Sequence, residues 1–131
     1  MSIELHLLAY SVLLLIILVF IQANVGVLSQ GLVPMVGTRD ALPPNKTFHA
    51  RTLRIVSNHI EGLAMFAPLV LIAAIQNVHS DMTVLGARLF FYSRVVHAGA
   101  YLAGIPWVRT IAWFVGFVGT ILIFLALFGI V

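Results

Sequence analysis

The sequence contains no cysteine. That excludes a disulfide framework, a zinc site built on thiolates and a thiol nucleophile. Charge is scarce too: Asp, Glu, Lys and Arg make up 8% of 131 residues, where a soluble domain carries about 25%. Seven basic side chains and a formal charge of +3 are too few for a nucleic-acid footprint. What fills the chain instead is apolar: 62% of residues are hydrophobic and mean hydropathy is +1.13. This composition excludes a soluble globular enzyme and a disordered chain. The excess apolar surface needs lipid as its solvent. At this length a single domain over residues 1–131 is expected.

A helix crossing the hydrocarbon core needs about 20 apolar residues, each rising about 1.5 Å. Four stretches qualify: about Leu5 to Leu28, Phe48 to Val78, Met82 to Leu102 and Val108 to Val131. The N-terminus does not read as a cleaved signal peptide. Glu4 and His6 stand where a basic region belongs, and the apolar run is too long. Gln30 to Thr47 contains Gly31, Pro34, Gly37, Pro43 and Pro44. That pattern predicts an ordered non-helical loop with Thr47 as the next N-cap. The other links, Asn77 to Asp81 and Gly104-Ile105-Pro106, are short. Short links join antiparallel neighbours, so an all-α, up-down bundle of four membrane helices is expected.

Basic residues are unevenly placed. Arg39, Lys46, Arg51 and Arg54 lie in or just after the first loop, and Arg94 and Arg109 lie near the third. Glu4, His79 and Asp81 mark the other end, and only Arg88 breaks the pattern. The positive-inside rule then puts the first and third loops in the cytoplasm and both termini outside.

A charge near the bilayer centre costs about 2.5–3.5 kcal/mol and tends to face the bundle interior. Taking Arg51 as zero and about 100° per residue, Arg54, Asn58 and Glu61 fall at about −60°, −20° and −80°. The four share one stripe, continued by Met65. Arg94, His97 and Tyr101 share a face of the third helix, and Arg109 and Thr110 open the fourth. All three sets lie toward the same membrane side, which predicts one polar pocket near the cytoplasmic surface. A pore is not expected, because Leu69 to Ile75 and Ile121 to Val131 are apolar.

Such an inventory has a preferred ligand. Guanidinium groups bind carboxylates through paired hydrogen bonds, and the lone carboxylate of Glu61 suits an ammonium group. A molecule with two carboxylates and one amine fits, and glutathione is one. Arg109 beside its thiol would favour the reactive thiolate. Plainer roles compete. Arg51 can snorkel, Arg39 and Lys46 can set topology, and Arg54 and Glu61 can pair with other helices. Asn58 can bond between helices, and His97 can be an ordinary satisfied bundle histidine. Tyr92, Tyr101, Trp107 and Trp113 can be interface-belt aromatics. His59 lies more than about 100° from the stripe centre and falls outside the expected site. His6, His49 and His79 have no metal-ligand spacing, so no metal is expected. Gly99, Gly116 and Gly119 suit close helix approach.

The pattern resembles a known family. Arg51-Thr-Leu-Arg54-Ile-Val-Ser-Asn58-His-Ile-Glu61, followed by Phe66 and Pro68, is similar to the helix-two signature of the MAPEG family, membrane-associated proteins in eicosanoid and glutathione metabolism. Arg94-Val-Val-His97-Ala-Gly-Ala-Tyr101, then Pro106 and Arg109-Thr110, resembles its second signature. The loop Val36-Gly37-Thr38-Arg39-Asp40 resembles that of the bacterial branch. The resemblance implies a homotrimer in a bacterial inner membrane, with glutathione between neighbouring subunits toward the cytoplasm. By position, Arg54, Asn58 and Glu61 would hold the glutathione backbone, with Arg51 on the same stripe. Arg94, His97 and Tyr101 would line the site, Arg109 would stabilise the thiolate, and Thr110 stands where one member has a serine near the thiol. Ser57 replaces an arginine of the prostaglandin synthases, and Gly62 a tyrosine of the leukotriene synthase. Asn24 and Gln30 occupy the region where some members carry a basic residue. These departures argue against eicosanoid synthesis.

The implied activity is a membrane glutathione transferase of detoxification, acting on lipophilic electrophiles or lipid hydroperoxides. The alternatives are a non-catalytic scaffold of the same fold and an enzyme using another small thiol. A four-span multidrug transporter would need a carboxylate midway along the first helix, where Glu4 stands only at the edge.

Overall fold

The computed structural model describes residues 1–31 and 47–131. Arg39, Lys46 and the Val36–Asp40 loop therefore lie outside the described residues. Four helices follow in order: α1 (Ile3–Gln30), α2 (Thr47–Ile75), α3 (Asp81–Ala103) and α4 (Pro106–Leu127). No strand occurs among the described residues. The expected helices are all present, and local chemistry sets where they end.

Ser2 caps α1, its hydroxyl accepting from the Leu5 amide at 3.2 Å. Thr47 is the first residue of α2 rather than its N-cap. The apolar run suggests that α2 continues to Val78, but Asn77 takes a left-handed φ of 54°. The Val78 and Asn77 amides then return to the carbonyls of Ala73 and Ala74, a Schellman closure that stops the helix. Ser80 and Thr83 form a capping box that starts α3. Gly104, at φ 76°, ends α3 in the same manner as Asn77 ends α2, with the Ile105 amide 2.9 Å from the Ala100 carbonyl. Pro106 belongs to α4, as its first residue. Its missing N–H would have had no helical partner there. At the far end α4 stops at Leu127, short of Val131.

The bundle is centred on α2 and α3. Helix α1 packs on both, α4 packs on both, and α1 and α4 do not touch among the described residues. Phe66 of α2 and Phe90 of α3 stack with centroids 3.9 Å apart, among Leu7, Leu63, Val70 and Ile123. A second cluster joins Leu18, Ile55, Val56, Ala98 and Tyr101 nearer the other end.

Helices α1, α2 and α4 are long and apolar enough to cross a membrane. Helix α3 has 23 residues, enough length for a span, but it is more polar. Five of its polar side chains are turned inward, Thr83, Ser93, Arg94, His97 and Tyr101, while Asp81, Arg88 and Tyr92 are exposed. Two buried hydroxyls are satisfied within their own helices: Ser93 donates to the Phe90 carbonyl at 2.8 Å and Thr120 to the Gly116 carbonyl at 3.1 Å.

The closest helix contact is between α3 and α4. A Cβ on Gly86 would lie 2.5 Å from the Gly119 carbonyl oxygen, and one on Gly119 would lie 2.5 Å from that of Gly86. At Gly116 it would meet the Ser93 hydroxyl at 2.6 Å. Gly116 and Gly119 thus serve the expected close approach. Gly99 does not, since it faces open space. Gly86 takes its place, because α3 presents that residue, and not Gly99, to the α4 backbone.

Candidate functional site

At the end of the bundle where α3 passes into α4, five expected site residues converge. Asn58 of α2, His97 and Tyr101 of α3, and Arg109 and Thr110 of α4 line an open cleft of about 270 Å³, with Trp113 completing its wall. The tight Gly104 turn makes this possible, because it folds the first turn of α4 back beside the last turns of α3. The Arg109 guanidinium lies over the Tyr101 ring, 4.7 Å from its centroid, a cation–π contact. Tyr101 in turn sits against the His97 ring, with centroids 5.6 Å apart. Both Tyr101 and His97 are buried, so Tyr101 is not a belt aromatic. Trp107, 78% exposed, retains the belt position.

The polar atoms of the cleft are unequally occupied. The Asn58 amide nitrogen donates to the Arg54 carbonyl at 3.2 Å. The Thr110 hydroxyl donates to the Pro106 carbonyl at 3.0 Å. His97 is 2% exposed, and its Nδ1 has no hydrogen-bond partner among the described residues.

The remaining expected residues do not enter this cleft. Arg94 is buried behind it, at a crevice of about 20 Å³ shared with Gly62, Met65, Trp113 and Gly116. Half-buried Arg51 brings its guanidinium against the α3 terminus, where a Cβ on Gly104 would lie 3.1 Å from its nitrogen. A cation there complements the negative end of the helix dipole. Arg54 and Glu61 are exposed on the outward side of α2, and neither forms an ion pair among the described residues. The single pocket expected from the stripes is therefore divided within one chain. The reason is angular: the α2 stripe runs beside the core face of that helix, not along it.

His59, excluded by its helical angle, is 1% exposed and ties three helices together. Its Nε2 donates to the Ser11 carbonyl of α1 at 2.8 Å. That fixes Nδ1 as an acceptor, and Arg94 Nε donates to it at 3.4 Å. The signal was in the apolar pattern rather than the polar one. Ile55, His59, Phe66 and Val70 share the helical register of the buried core. Replacing His59 with leucine removes the acceptor and leaves Arg94 unpaired. A loss of about 1–3 kcal/mol in stability is expected, with a smaller loss for His59→Gln, measured by thermal unfolding in detergent. Equal melting of His59→Leu and the parent chain would contradict this role.

Three long apolar helices, with a fourth that buries Ser93, Arg94 and His97 against them, define a helical integral membrane protein with a polar cleft at one end. The chain belongs to the MAPEG family, whose model matches residues 7–129. That match spans all four helices and reaches beyond both signatures. No curated protein and no solved structure matches the chain. Membership supports a membrane role of the glutathione-transferase type or a related one.

Proposed function

We propose that the protein is a membrane-bound glutathione transferase. Glutathione loses its thiol proton beside Arg109, whose guanidinium stabilises the resulting thiolate. The sulfur electron pair then forms a bond to a lipophilic electrophile arriving from the bilayer, and the leaving group departs with the electrons of its old bond. With a lipid hydroperoxide, two thiols become a disulfide while the hydroperoxide becomes an alcohol and water.

The observation that carries this reading is the cleft where Arg109, over Tyr101, meets Asn58, Thr110 and His97. His97 Nδ1 is itself enclosed by protein, so the polar groups open to a ligand are those of Arg109, Asn58 and Thr110 at the cleft. Arg54 and Glu61 supply the second support. They stand outward on a membrane helix, where lipid tails offer them no partner. A neighbouring copy of the chain on that face would enclose them and add guanidinium and carboxylate groups beside a cleft. We therefore read the working unit as a homotrimer, with glutathione between subunits. It lies in a bacterial inner membrane, with both termini outside and the cleft toward the cytoplasm.

Thermal unfolding of the detergent-solubilised protein with and without millimolar glutathione tests the ligand. A ligand that binds only the folded state at 100 times its Kd stabilises by about 2.7 kcal/mol. The expected result is a rise in Tm that vanishes in an Arg54→Ala, Glu61→Ala double variant. No rise in either protein would overturn glutathione as the ligand and send the search to other small thiols or to a non-catalytic scaffold.

A further inference from the structure

The opposite end of the bundle holds a polar group that the thiol chemistry does not use. Glu4, at the start of α1, is 4% exposed. Its carboxylate accepts from the Thr83 hydroxyl at 2.6 Å and lies 2.9 Å from His79 Nδ1. A carboxylate has about four lone-pair sites; these contacts take two and its own backbone N–H a third. His79 is its one ion-pair partner among the described residues, and the His79 side chain is 58% exposed. No arginine or lysine among the described residues neutralises Glu4. On α3 the first basic residue is Arg88, seven positions past Asp81 and about 10 Å along the axis. This end of the bundle is therefore anionic, in contrast to the arginine-rich end.

Beside Glu4 is a cavity of about 200 Å³. Its polar wall is Ser2, Glu4, Asn77 and His79, and its apolar wall includes Leu5, Val70 and Ala74. The left-handed turn at Asn77 that stops α2 leaves this space open above the α1 N-terminus. The geometry points to a second binding site here, for a primary ammonium group on a short alkyl stem. An ethanolamine lipid headgroup and a free alkylamine both carry that chemistry. The ammonium would donate an N–H bond to the remaining lone pair of Glu4 and another to the Asn77 side-chain oxygen, and the stem would lie against the aliphatic wall. A quaternary ammonium fits poorly: it has no N–H to donate, and no Phe, Tyr or Trp among the described residues lines the cavity to provide a cation–π cage. A metal ion fits poorly too, because no group of three His, Asp or Glu residues meets among the described residues. The site stands independently of whether the cleft at the other end takes glutathione.

The test is thermal unfolding of the detergent-solubilised full chain in butylammonium chloride, tetramethylammonium chloride and sodium chloride at equal ionic strength. A second arm compares micelles doped with phosphatidylethanolamine or phosphatidylcholine. The expected result is a dose-dependent rise in Tm with butylammonium and none with the other two salts. Glu4→Gln removes the charge, and Ala74→Leu fills the cavity without touching the carboxylate. Each is expected to abolish the rise, and Ala74→Leu decides alone if Glu4→Gln does not fold. A rise with phosphatidylethanolamine over phosphatidylcholine assigns the lipid headgroup, and a response to butylammonium alone assigns a soluble amine. Equal responses to all three salts, or a rise that survives Ala74→Leu, would overturn the site. So would the absence of any response to butylammonium and phosphatidylethanolamine.

Discussion

Replacing Arg109 with leucine is expected to lower turnover by about a hundredfold or more while weakening glutathione binding by less than about tenfold. Preorganised donors aimed at charge that develops during reaction typically give effects of about 10²–10³ in kcat. Arg109 is placed for this. Tyr101 supports its guanidinium from one face, and the cleft lies open beside it. The residues proposed to hold the glutathione backbone lie on other helices, so most of the binding energy survives the substitution. Arg109→Lys keeps the charge but loses the planar fork that stacks on Tyr101, and an intermediate rate is expected. The measurement is kcat with a chlorodinitrobenzene as probe electrophile, beside the glutathione Kd from thermal shift. Equal loss of rate and affinity would place Arg109 in binding and remove its thiolate role.

The second large effect is on stability, at the crossing of α3 and α4. Gly86→Ala and Gly119→Ala each drive a methyl to 2.5 Å from a carbonyl oxygen of the facing helix. Side chains can turn aside, but backbone cannot. The helices must separate, and the Phe66–Phe90 stack and Ile123 beside it lose contact. Overpacking of this type costs about 1–3 kcal/mol, occasionally more. Gly99→Ala is the matched control. It meets nothing within 4 Å, and it gains up to about 1 kcal/mol of helix propensity. Thermal unfolding in detergent should rank Gly99→Ala at or above the parent and the other two well below. Equal melting of all three would mean that the helices can part without penalty.

Different parts of this protein were legible from sequence to different degrees. The apolar runs located all four helices, because backbone in lipid must satisfy its own hydrogen bonds and long helices do so. The ends were harder to read. Val78 looks helical by hydropathy, yet a single left-handed residue, Asn77, closes α2 at Ile75. Pro106 looks like a linker residue, yet it opens α4. The convergence of His97, Tyr101, Arg109 and Thr110 followed from the Gly104-Ile105-Pro106 link, which leaves little freedom in how α3 and α4 meet.

Helical angle alone could not say which face of α2 becomes the core. A polar stripe at membrane depth suggests an interior position, but Arg54 and Glu61 lie outward. His59, set aside by the same angle, is buried and holds Arg94. By sequence Glu4 is an edge residue of the first helix. It is buried because α1 packs against both α2 and α3, bringing Thr83 and His79 to its carboxylate.

Composition and periodicity thus determined the solvent, the number of helices, their antiparallel order and the end of the bundle where the arginines gather. These depend on local backbone satisfaction and on the period of apolar residues, both carried by contiguous sequence. Tertiary structure decided which helices touch, which glycines let them touch, and which polar atoms remain unpaired. Those outcomes depend on the rotation of each helix about its own axis. That rotation is set by shape complementarity across the bundle, such as Gly86 against Gly119 and Phe66 against Phe90, between residues far apart in the chain.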